Sequence, residues 1–150
     1  MDSATAEVRK WLQQKDLNLS NVRETIWEAA SNNRVDVLDW LHKHTPGGVT
    51  AEDYRSENND ALRLAAYNEH VGVLDWLHQH IPGGVTAEDC RAENNDALRW
   101  AAFSGHVGVL EWLATKLTLA EFAELKRENV WLQVRKESML ALVVADKRKK

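Results

Sequence analysis

One cysteine, Cys90, and two prolines are all the sequence holds of either residue in 150 positions. A single thiol excludes an internal disulfide framework and any cysteine-based zinc finger, and it suits a reducing compartment. With only two prolines and seven glycines there is no room for a disordered linker, so one domain, or one compact array over 1–150, is the economical reading of the length. No apolar run approaches the roughly 18 residues that cross a bilayer. Residues 1–20 alternate charged and apolar groups, unlike a secretory leader. These absences predict a soluble intracellular chain with no membrane contact. Phenylalanine and tyrosine are scarce as well, two of each, whereas tryptophan occurs seven times.

Charge is unevenly spread. Residues 1–119 carry 11 Lys+Arg and 18 Asp+Glu, a net charge of −7; residues 120–150 carry 8 and 5, a net charge of +3. A negative body argues against wrapping nucleic acid, which needs many phosphate contacts.

The chain repeats itself every 36 residues. Val37-Leu38-Asp39-Trp40-Leu41-His42 returns as Val73-Leu74-Asp75-Trp76-Leu77-His78, and again as Val109-Leu110-Glu111-Trp112-Leu113. Pro46 to Asp53 recurs unchanged at 82–89, and Asn58 to Arg63 at 94–99. A period held this closely means stacked copies of one supersecondary unit. Each copy reads as helices. Asp60 is a candidate N-cap, and Leu62, Ala65 and Ala66 mark one buried helical stripe at i, i+3 and i+4. The helix breaks at Tyr67 to His70, or at Phe103 to His106 one unit later, where Gly105 suits a left-handed turn. A second helix carries Val71, Leu74, Trp76 and Leu77 and stops at Pro82-Gly83-Gly84. Thr86-Ala87-Glu88-Asp89 then has the spacing of a capping box, predicting a third short helix through roughly Ala92. Thr50 to Asp53 and Thr118 to Glu121 repeat the device. Nothing alternates with period two, so little or no strand is expected. Residues 4–15 echo the second helix as a partial N-terminal unit, and Val130 to Ala145, with the apolar Met139–Val144 run, should close the other end. Trp11, Trp40, Trp76 and Trp112 fall at one repeated position and predict a structural column; Trp131 belongs to the closing cap, while Trp27 and Trp100 stand apart.

Residues 96–113, Asp-Ala-Leu-Arg-Trp-Ala-Ala-Phe-Ser-Gly-His-Val-Gly-Val-Leu-Glu-Trp-Leu, resemble the ankyrin repeat, whose pattern is Thr-Pro-Leu-His-Leu-Ala-Ala-x-x-Gly-His-Leu-x-Val-Val-x-x-Leu. Ala101-Ala102, Gly105-His106 and Val109 match directly. Asp96 stands in place of the capping Thr, Ala97 of Pro and Arg99 of His. The copy at 60–77 has Glu69 for Gly, and that at 24–41 has Asn33-Arg34 for Gly-His. The units are longer than the usual 33 residues, and the Thr-Ala-Glu-Asp helix takes the place of the family's hairpin. The resemblance implies an all-α, ankyrin-like helical solenoid of three repeats, about 23–59, 60–95 and 96–116, between helical caps at about 1–22 and 117–150.

It also implies a non-catalytic protein–protein interaction module that binds a partner protein through a concave groove. The variable positions facing such a groove are Ser31 and Asn32, Tyr67 and Asn68, Phe103 and Ser104. Tyr67 and Phe103 share a repeat position and predict an aromatic ladder with steps of roughly 8–10 Å; exposed aromatics anchor interfaces. Trp100 joins them as a candidate. Arg63 and Arg99 are second-tier candidates, with Arg55 and Arg91, although their repetition equally fits an ion-pair ladder with Glu57, Asp60, Glu93 and Asp96.

Other motifs read as structural. His42 and His44, like His78 and His80, stand two apart and diverge on a helix, so no metal or other cofactor is expected; they suit a solvated helix C-terminus. His70 and His106 match the family's structural histidine and should bond loop backbone. Glu52-Asp53 and Glu88-Asp89 repeat, as caps do and catalytic pairs do not. Cys90 aligns with Tyr54 as a packing position. No enzyme motif is present. Lys147-Arg148-Lys149-Lys150 leaves one alternative function, a nucleic-acid or nuclear-targeted accessory protein acting through its basic C-terminal segment. The expected state is a monomer, or a weak homo-oligomer through the C-terminal cap.

Overall fold

The alanine pairs decide how closely successive units stack. Ala29-Ala30, Ala65-Ala66 and Ala101-Ala102 are all fully buried, and with no side chain beyond Cβ they let one first helix lie against the next. In the computed structural model, which describes residues 3–118 and 120–121, eight α-helices succeed one another, with no strand among the described residues. They are α1 Ser3–Gln14, α2 Val22–Ser31, α3 Val35–His44, α4 Ala51–Tyr67, α5 Val71–His80, α6 Ala87–Cys90, α7 Ala92–Ser104 and α8 Val107–Ala114. The first helices α2, α4 and α7 pack in series, and the second helices α3, α5 and α8 form a parallel row that α1 extends at its near end. This is an all-α repeat solenoid.

All three first helices end alike. Asn33, Glu69 and Gly105 adopt left-handed backbone, with φ of 58°, 62° and 74°. The next amide then reaches back five residues: Arg34 N–H to Ala29 O at 2.8 Å, His70 to Ala65 at 2.7 Å, and His106 to Ala101 at 2.9 Å. This is Schellman closure, and it needs the left-handed residue that glycine provides most cheaply. The second helices α3 and α5 are followed by Gly47-Gly48 and Gly83-Gly84, all with φ near 80°. At Gly84 space is short as well, since a Cβ would stand 2.8 Å from His78 Cε1.

The capping boxes form as expected at Thr50/Asp53 and Thr86/Asp89. The backbone beyond each short capped helix departs from expectation. Within α4, Ser56 is extended and Glu57, Asn58 and Asn59 are all left-handed, with φ of 53°, 56° and 61°, so that α4 is two helices joined at a kink. Glu93, Asn94 and Asn95 repeat this at 56°, 56° and 60°. Each such residue costs roughly 1–2 kcal/mol, asparagine least among non-glycines. Arg63 offsets part of that cost in the second unit, donating to the carbonyls of Asn58 (3.0 Å) and Glu57 (3.2 Å). Asp60, expected to cap backbone N–H groups, instead accepts from Arg63 at 3.4 Å.

The capping acids also tie the units together. Arg23 bonds Asp53 at 2.9 Å, Arg55 grips Asp89 through two bonds of 2.8 and 3.1 Å, and Arg91 pairs with Glu121. Of the anticipated ion pairs, Arg63 does reach Asp60 and Asp96, but Arg55 and Arg91 serve the next unit's cap. Trp11, Trp76 and Trp112 are buried along the second-helix row and Trp40 is half-buried. Trp112 donates across the row to Asp75 at 3.0 Å. The expected closing helix over 130–145, Trp131 and the 147–150 tail lie outside the described residues. No described helix is long and apolar enough to cross a membrane.

These contacts lead to two stability predictions. Glu69→Gly relieves the left-handed strain at the Schellman position and should raise stability by about 0.5–1 kcal/mol, read as a higher urea midpoint at unchanged slope; a lower midpoint would mean that the Glu69 side chain matters more than its backbone. Burial works against the Asp89 charge, but Arg55 and the Thr86 N–H and hydroxyl outweigh it and hold the carboxyl below its ordinary value. A depressed folded pKa contributes stability above the unfolded value that is lost as pH falls through the folded one. Stability should therefore decline below about pH 4, and Asp89→Asn should cost about 1–3 kcal/mol at pH 7 while flattening that acid limb in pH-dependent urea melts.

Candidate functional site

Three large apolar side chains are exposed among the described residues: Tyr67, Trp100 and Phe103, at 50%, 40% and 49%. All three lie on the first-helix row. Tyr67 ends α4, Phe103 sits in the last turn of α7, and Trp100 precedes Phe103 by one helical turn. The backbone reason is simple: Ala101-Ala102 turn inward, so positions 100 and 103 on either side of them turn out. Trp100 meets Tyr67 edge-to-face with centroids 5.0 Å apart and planes at 68°, and meets Phe103 at 5.6 Å and 78°. The anticipated two-ring ladder is thus a three-ring cluster bridged by Trp100. The i,i+3 spacing of Trp100 and Phe103 signals that half of the bridge; the contact with Tyr67 depends on α4 and α7 lying side by side.

The polar candidates frame this cluster. Asn68 donates to Leu64 O at 2.9 Å and to Ser31 Oγ at 3.4 Å, linking two units. Asn32 donates to the Glu28 carbonyl at 2.8 Å and its carboxylate at 3.3 Å. Ser104 is half-buried beside Phe103. Arg63 is drawn into the left-handed turn and the Asp60 and Asp96 carboxylates, which leaves it chiefly structural. Arg99, at the same position one unit on, is exposed and makes contacts of its own. Trp27 differs from Trp100: it is half-buried, donates to Ser56 Oγ at 3.2 Å and lines a shallow depression of about 410 Å³ with Arg23 and Glu24.

On the second-helix row the histidines behave in two ways. His44 and His78 are exposed. His42 and His80, expected to be solvated, are instead half-buried in an aromatic cluster. His42 Nδ1 is 2.8 Å from the Tyr54 hydroxyl, its ring lies 5.2 Å from His80, and His80 stacks on Trp76 at 4.0 Å while its Nδ1–H donates to the Trp76 carbonyl. The Trp76–His80 pair is an i,i+4 contact within α5, whereas stacking between units brings His42 against Trp76 and His80, more than thirty residues away. Among the described residues no three His, Cys, Asp or Glu side chains converge as a metal site. His70 Nε2 donates to Ser31 O at 3.0 Å, bonding the preceding unit's backbone. His106 Nδ1 is buried without a partner among the described residues. Burial, with help from Asp89, pushes the Cys90 thiol up to about 12, so it is a packing group and not a nucleophile.

A family model described as ankyrin repeats, in three copies, matches residues 26–123. Comparison with curated proteins and with solved structures finds no match. The matched span runs from within α2 through α8, with the alanine pairs and left-handed closures of all three units inside it. With that register and well over half of its length matched, the chain belongs to the ankyrin-repeat family.

Proposed function

We propose that this protein is a non-catalytic module that binds a partner protein through the first-helix face, with Tyr67, Trp100 and Phe103 as the anchor. Ankyrin repeats are in general protein–protein interaction modules, and the observation that points to this face is its cluster of exposed rings. Soluble domains do not ordinarily leave three touching aromatics half in water; such a patch marks an interaction site. Aromatics suit the task because they bury much area while immobilising few torsions. Asn68, Asn32, Ser31 and Ser104 supply the polar rim, and Arg99, exposed next to Trp100 in sequence, is a further candidate. The histidine cluster on the opposite row is inward-facing and serves packing.

Replacing Tyr67 and Phe103 together by alanine should weaken partner binding at least about tenfold and leave stability within about 0.5 kcal/mol, as for exposed positions elsewhere. A photoreactive phenylalanine analogue at position 103 should crosslink a partner in lysate of the native cell, and the same analogue at exposed Gln79, on the second-helix row, should not. Identical crosslinking at both positions, or capture unaffected by the double substitution, would remove the aromatic face from the mechanism.

A further inference from the structure

We draw no further inference here: the strongest candidate, the exposed patch of Tyr67, Trp100 and Phe103 on the first-helix row, belongs to the site already described, and its rings touch at 5.0 and 5.6 Å with nothing in the structure to show what covers it.

Discussion

A helix pair of this kind cannot bury its apolar stripe alone, and the contact that completes it is the meeting of small side chains between first helices. Ala29-Ala30, Ala65-Ala66 and Ala101-Ala102 are fully excluded from solvent, and α2, α4 and α7 approach through them. Larger residues there would separate the units, and separated units would lose the cross-unit bonds together: Arg55 to Asp89, Trp112 to Asp75, His70 to Ser31. Overpacking costs roughly 1–3 kcal/mol per site in a tight core; here the damage would extend along the stack, because each unit is stabilised by its neighbours.

The same stacking makes an unfavourable backbone tolerable. Three consecutive left-handed residues, twice over, would not persist in an isolated segment. The run at 57–59 persists because the turn delivers its carbonyls to Arg63 and because Asn59 and Arg55 converge on Asp89, which also caps α6. Asp89 thus closes a helix, anchors a turn and joins two units with one carboxylate. Strain in one unit is offset by a bond whose other half lies about one period away, which explains why the sequence repeats the Arg, the Glu-Asn-Asn and the Thr-x-x-Asp as a set.

Local and cross-unit interactions differ in how far they can be read from the chain itself. The period, the helix pairs, the Gly105 turn and the capping boxes depend on residues within a few positions of one another, and they are legible. The left-handed run is not, since Glu-Asn-Asn carries no glycine to announce positive φ. Asp60 resembles a cap for the same reason: an N-cap requires a helix to restart there from extended backbone, and the backbone before it is left-handed instead. The partners of Arg55 and Arg91, and the burial of His42 and His80 against Tyr54 and Trp76, depend on which unit stacks on which face, and periodicity alone leaves that open. At the site, Tyr67 and Phe103 are legible as equivalent positions. The bridging role of Trp100 requires the helices side by side.

Scaffold positions in a repeat are under one constraint copied three times, so they stay alike; a binding surface is under no such constraint, so it is where copies diverge. The columns obey this. Ala-Ala is invariant across the three units and Val37, Val73 and Val109 are invariant behind it. The outward columns read Glu28, Leu64, Trp100 and Ser31, Tyr67, Phe103, passing from polar to aromatic along the stack. Tyr67, Trp100 and Phe103 are exposed and Glu28, Ser31 and Leu64 half-buried, so the gradient lies outside the fully buried core. A ligand that is itself uniform would favour three equal units. Under the proposed function, the gradient places the aromatic anchor over the second and third units and leaves the first unit polar.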